Sequence, residues 1–249
     1  MRKSHIILLG VTIVLLGVFF YALRNSKQPA PAENGQHPDA PADSSISIAP
    51  SVTEHASSTY AEMHLTYPKS DASHLPEIYA YVQGQKNDFW GQYGNLTEQQ
   101  ATDNYMRPDN MYQLYINFRV ATSSNTVSYI LETYQYLGGA HGGTAVNVFT
   151  YDAAGKRITE KDVFADGYLS VIAPMARQYF YGTLGEYAQP DAIDAGTEAT
   201  STNYSTWYLA GSNVVFIFGQ YQVGPYALGI LEYMIPKTKI ASVLQPAYR

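Results

Sequence analysis

The pattern of apolar and polar positions changes its period along the chain. From Ile6 to Leu23 there is no charge, and these 18 residues match the length that crosses a bilayer as a helix, roughly 17–25 residues. Arg2 and Lys3 stand before it, and positive charge stays on the cytoplasmic side. The run predicts a single-pass anchor with the N-terminus inside and everything after Leu23 outside, at the cell membrane. A cleaved signal has a shorter apolar core and a small-x-small site. The residues that follow, Leu23-Arg24-Asn25-Ser26-Lys27, lack such a site. Residues 1–24 are therefore expected to be a short cytoplasmic tail and membrane anchor.

Residues 25–58 lose the pattern. Pro29, Pro31, Pro38, Pro41 and Pro50 are mixed with Ala, Ser, Asn and Asp, and Ile46, Ile48 and Val52 are the only large apolar residues. Such a stretch buries too little surface to fold and is expected to be a tether.

Residues 59–249 carry the globular pattern. Met63, Leu65 and Tyr67 alternate, as in a strand. Ile78, Val82, Phe89 and Tyr93 follow helical spacing after Pro76. Thr97 and Gln100 have capping-box spacing. Tyr112, Leu114, Ile116, Phe118 and Val120 alternate strictly with polar residues, predicting a half-buried strand. Strands around Val127–Gln135 and Val146–Thr150 complete an antiparallel meander. A helical run holding Leu169, Ile172, Met175, Ala176, Tyr179 and Phe180 offers a cover for that sheet. Asp166 is its expected cap, and Pro174 is expected to kink it or delay its start. A polar stretch, Gln189 to Thr202, precedes further strands at Trp207–Leu209, Val214–Phe218 and Leu228–Ile235, and a short helical turn at Ile240–Leu244. The fold class is α+β: antiparallel sheets each packed by a helix, in two closely associated subdomains, 59–150 and 151–249.

Charge and composition narrow the function. The chain has no cysteine, which removes disulfides, thiolate metal sites, thiol nucleophiles and lipoprotein attachment. Residues 59–249 hold 17 acidic and 11 basic residues, against a nucleic-acid partner. Their histidines are His64, His74 and His141. None pairs at i, i+4, and neither HExxH, G-x-S-x-G nor S-x-x-K occurs. Asp162 and Asp166 form the one close acidic pair at a possible helix start, where they offset the helix dipole. No catalytic residue, metal site or cofactor is expected.

Two loops remain. Gly138-Gly139-Ala140-His141-Gly142-Gly143 lies between strands, where glycines allow positive φ and close packing. No Lys-Ser/Thr closes it, so it is not a phosphate cradle. Tyr221-Gln222-Val223-Gly224-Pro225-Tyr226-Ala227-Leu228-Gly229 sets two tyrosines around Gly-Pro. Aromatic residues on a tight loop suit a protein or sugar contact. The candidate partner-binding residues are Gly138, Gly139, Ala140, His141, Gly142, Tyr221, Pro225 and Tyr226.

The stretch Tyr134-Gln135-Tyr136-Leu137-Gly138-Gly139-Ala140-His141-Gly142 resembles the end of a bacterial domain of unknown function found ahead of the catalytic domain in the peptidoglycan deacetylase PdaC. Val214 to Gly229, ending at Ile235-Pro236, resembles its companion C-terminal domain. The pair also forms the exported, lysozyme-binding part of the anti-sigma factor RsiV. The resemblance spans most of residues 60–244 and implies a non-catalytic recognition module at the cell envelope. It points to a lysozyme-like protein as partner, with peptidoglycan as the alternative. The paired-Asp and H-x-x-x-H motifs of the deacetylases are missing, and the few residues before His5 do not match a sigma-binding domain.

Overall fold

A computed structural model of the chain describes residues 50–69 and 75–249. The expected membrane run, the tether up to residue 49 and His74 lie outside the described residues. Among the described residues, no helix is long and apolar enough to cross a membrane.

The first sheet holds five strands in sequence order: β1 Ser51–Ser57, β2 Ala61–Pro68, β3 Tyr112–Ser123, β4 Thr126–Tyr136 and β5 Gly143–Asp152. Strict alternation in β3 and β4 gives each strand two different faces. Leu114, Ile116 and Leu131 join Met63 and Leu65 under helix α1, Pro76–Tyr93, which contributes Ile78, Val82 and Phe89. The short α2, Glu98–Asp103, begins at the expected capping box, with both Thr97–Gln100 bonds formed.

The opposite face meets a second sheet. Ala121 and Ile130 pack against Tyr208, Ala210, Val215 and Ile217. Those residues come from β6 Trp207–Ala210 and β7 Asn213–Phe218, which with β8 Leu231–Pro236 form an antiparallel three-stranded sheet. The alternate residues Leu209, Val214, Phe216, Phe218 and Ile235 face the other way. They meet Ile172, Ala176 and Phe180 in a second core. The short α3, Glu160–Val163, precedes the helix that supplies these three residues, α4, Leu169–Thr183. The order of layers is helix, sheet, sheet, helix, so each sheet is buried by a helix on one side and by the other sheet on its inner side.

Between the sheets lies one polar knot. The Arg119 guanidinium pairs with Glu232, donates to the Tyr208 hydroxyl at 2.9 Å and sits 5.1 Å from the centre of the Tyr208 ring. Burial, with Glu232 beside it, pushes the Tyr208 phenol up to about 12.

The α+β class stands, with several corrections to the expected detail. The first sheet is mixed, because β2 and β3 run parallel. The helical connection through α1 and α2 is long enough to carry the chain back to the same end, which a hairpin cannot do. The helix over the first sheet is α1, and α4 covers the second. Periodicity identifies an apolar face and is silent about what it faces. Residues 51–57, expected in the tether, are a full strand paired with β2. Tyr168, not Asp166, stands at the N-cap of α4, and the helix starts at Leu169 in spite of Pro174. The stretch Gln189–Thr202 contains a further helix, α5, Pro190–Gly196, which opens on proline and buries Ile193. β8 begins at Leu231 rather than Leu228, after a single 3-10 turn at Tyr226–Leu228 and Gly229 at φ +67°.

Candidate binding rim

The two loops singled out by sequence come together at one end of the paired sheets. The first runs from β4 to β5. Gly138 and Gly139 have φ of +90° and +100°, a region that disfavours other residues. They turn the chain so that the Tyr136 hydroxyl donates to the Gly139 carbonyl at 3.0 Å. Ala140 and His141 are exposed at the tip, and Gly142 is buried. A Cβ on Gly142 would lie 2.4 Å from the outer end of the Tyr134 ring, so a larger residue there must displace Tyr134.

That loop runs from β7 toward β8. Gln222 braces it from within: its side-chain Oε1 accepts from the Gly219 amide at 3.0 Å. Its amide donates to the carbonyls of Gly196 (3.1 Å) and Asn203 (3.0 Å). Pro225, half-buried with φ near −67°, leads into the turn that presents Tyr226. Tyr221 is 60% exposed and holds φ +65° without being glycine. Left-handed backbone at a non-glycine residue is costly and tends to mark functional positions.

The join is made by His141. Its ring stacks on Tyr226 at 3.9 Å between centroids, with 23° between planes. Its Nδ1 lies 2.9 Å from the Gly142 carbonyl, and Nε2 lies 3.1 Å from the Tyr221 hydroxyl. A carbonyl can only accept, so Nδ1 carries the proton of the neutral ring and Nε2 accepts from Tyr221. The Tyr226 hydroxyl donates to the same Gly142 carbonyl at 3.0 Å. A side-chain bond from the other loop, Thr144 amide to Gln220 Oε1 at 2.9 Å, completes the contact.

Behind the rim is a cleft of about 730 Å³, lined by Tyr81, Gln85, Gln135, His141, Gln220 and Tyr226 among others. Its floor is already hydrogen-bonded. The Tyr81 hydroxyl pairs with Thr133 Oγ1 at 2.7 Å and accepts from Asn147 at 2.9 Å, and Gln135 donates to Gln85 at 2.9 Å. The His141 ring is bonded to the Tyr221 phenol and the Gly142 carbonyl. Among the described residues, no group of three or more His, Asp or Glu side chains is placed to hold a metal ion. Asp162 serves structure: it accepts from the Thr159 amide and hydroxyl, both at 2.7 Å.

All eight residues singled out by sequence lie on these two loops. Sequence reasoning passed over Gln220, which bonds across the two loops, Gln222, which braces the second, and Tyr134, which packs against Gly142. It also missed a row of rings on the uncovered part of the first sheet. His55, His64, Tyr115 and Tyr134 are successive cross-strand neighbours, with centroids 4.3, 5.3 and 5.7 Å apart. Glu62 lies beside the row, accepting from the Tyr115 hydroxyl and from Gln113. Register across strands creates this row, and linear sequence does not display it.

Comparison with known proteins agrees with this two-part build. Residues 54–144 match the family described as Deacetylase PdaC. Residues 161–238 match a protein family of unknown function, DUF3298. The peptidoglycan-N-acetylmuramic acid deacetylase PdaC of Bacillus subtilis (strain 168) is 24% identical over 140 residues, 55% of this chain and 30% of that protein. The chain thus spans under a third of its relative. A DUF3298 family protein of Bacteroides fragilis NCTC 9343 shares the fold at a TM-score of 0.51 and 17% identity, covering 82% of this chain and 95% of that one. A second, from Pseudomonas aeruginosa PAO1, has a TM-score of 0.51 and 15% identity over 82% of this chain and 97% of that one. The chain thus joins a region similar to the PdaC family to a region similar to DUF3298.

Proposed function

We propose that this protein is a non-catalytic binding module on the outer side of the cell membrane, held there by residues 6–23, and that it recognises a lysozyme-like protein through the rim. The observation that carries the reading is the His141–Tyr226 stack. It fixes aromatic side chains from two distant segments at an exposed edge, where ordered aromatic residues give contact area at little entropic cost. The net charge of −6 suits a basic partner. The likeness of both loops to the lysozyme-binding part of RsiV supports the choice of partner. The test is capture of lysozyme by the full chain at low ionic strength. Binding is expected, and a loss of about tenfold is expected in Tyr226→Ala, the scale of an aromatic anchor. Failure of the parent chain to capture lysozyme removes that partner.

A second reading, a glycan-binding envelope module, is favoured by the row from His55 to Tyr134. Sedimentation with purified peptidoglycan separates the two, because a protein-only binder stays in the supernatant.

A further inference from the structure

The cleft behind the rim has the size and lining of a ligand site. Its volume of about 730 Å³ falls within the range of small-molecule pockets, roughly 300–1,000 Å³. None of its sixteen lining residues is Asp, Glu, Lys or Arg. An ionised ligand would find no counter-charge there, and stripping water from its charge is costly.

The lining is rich instead in side-chain amides with one end in use. Gln85 Oε1 accepts from Gln135 Nε2, which leaves the Gln85 N–H groups and Gln135 Oε1. Gln220 Oε1 accepts from the Thr144 amide, which leaves the Gln220 N–H groups. Asn147 Nδ2 donates to the Tyr81 hydroxyl, which leaves Asn147 Oδ1. Each internal bond fixes its side chain, so the other end is ordered before a ligand arrives. Donors and acceptors both line the cleft, as a hydroxyl requires, since it both donates and accepts. Tyr221, 60% exposed, adds a ring on which the C–H side of a sugar ring can pack.

The cleft is also wider than the backbone demands. Gly143 and Gly219 line it, neither has a positive φ, and a Cβ on either meets nothing within 4 Å. Gly143 and Ala145 stand in register with Gln135 and Thr133 of β4. A larger residue at Gly143 fits the strand and narrows the cleft. Glycine in a strand is weakening, and it often stands where a ligand comes close. An added peptide strand does not suit the site. Gln220 takes the Thr144 amide, Arg157 the Val148 carbonyl, and residues 156–158 the Thr150 carbonyl and Asp152 amide.

We propose that this cleft binds a short, uncharged saccharide, held by the amide ends of Gln85, Gln135, Asn147 and Gln220. The proposal rests on the glycan reading and gives it a site apart from the row of rings; it does not need the lysozyme reading.

The test is calorimetric titration of the full chain in a sugar-free detergent at about 0.15 M salt, where long-range charge effects are screened. The probes are the N-acetylglucosamine trimer, cellotriose and the deacetylated, cationic trimer. Binding of at least one uncharged trimer is expected, with the cationic trimer about tenfold weaker. Gly143→Leu is expected to keep the parent's melting temperature and to weaken the uncharged trimer at least about tenfold. Gln85→Glu keeps the bond from Gln135 and supplies a charge. It should weaken the uncharged trimer and shift the preference toward the cationic one by about tenfold. No binding of either uncharged trimer, equal or tighter binding of the cationic one by the parent, or unchanged binding in Gly143→Leu overturns the proposal. If Gly143→Leu does not fold, Gln85→Glu decides, and an unchanged preference overturns it. Sedimentation with peptidoglycan alongside a failed titration would sink the cleft and leave the glycan reading standing; the reverse would sink that reading alone.

Discussion

The two halves of this molecule bury their apolar residues to different ends. In the three-stranded half, Leu209, Val214, Phe216 and Phe218 are fully buried between their own sheet and α4. Phe180, Tyr204, Phe216 and Phe218 meet edge to face there, at centroid distances of 4.7 to 5.6 Å. The five-stranded half is packed as well under α1. It nonetheless leaves part of one face open, where His55, His64 and Glu132 are exposed. A dry, aromatic half fixes the Gln222-braced loop, and an open half supplies the surface on which that loop settles.

The comparison can be broken at the core first. Phe218→Ala is expected to cost about 3–5 kcal/mol in urea unfolding, from lost burial and the cavity left behind. Tyr115→Phe on the open face should cost no more than about 1 kcal/mol, the worth of one hydrogen bond. Equal losses would erase the distinction between the halves.

The interface between halves comes next. Arg119→Ala leaves Glu232 and Tyr208 without their cation and is expected to cost about 2 kcal/mol, below the fully buried case because both charged side chains keep some solvent contact. The double variant Arg119→Met, Glu232→Leu should recover part of that loss, which a double-mutant cycle measures directly.

At the rim, Gly142→Ala forces Tyr134 or the loop to move. Its effect on melting temperature should be small, while capture of the partner falls about tenfold, as for loss of an interface anchor.

The smallest effect is electrostatic and belongs to the first sheet alone. The Lys86 ammonium, and then the Tyr67 hydroxyl, hold the Glu54 carboxyl below its ordinary value of 4.5. A depressed carboxyl stabilises the fold above its unfolded pKa, and that contribution disappears as pH falls through the folded one. Acid titration below pH 4.5 should therefore show a loss that Glu54→Gln lacks, under about 1 kcal/mol for a partly exposed pair.

Long periodic segments were legible in the sequence. Pro76–Tyr93, Tyr112–Ser123 and Leu169–Thr183 all announce themselves by spacing, because each buries one continuous face. β1 did not, since its inward positions are Val52, Glu54 and Ala56, and pairing with β2 fixes it rather than apolar content. α5 was too short, with Ile193 its only large buried side chain. The assignment of α4 to the wrong sheet shows the limit of pattern: amphipathicity tells a helix to dock and leaves the partner unnamed. The rim loops stood out by unusual composition. The bond from Gln220 that joins them, and the Gln222 bonds that brace the second loop, come from ordinary residues whose role exists only after folding.

The central claim is that the two loops form one partner-binding rim. Hydroxyl-radical footprinting of the full chain, with and without lysozyme, tests it most directly. Protection is expected together at His141, Tyr221 and Tyr226, while Tyr105 and Tyr187, exposed elsewhere, stay reactive. Protection at Tyr105 or Tyr187 with none at the rim would contradict the account.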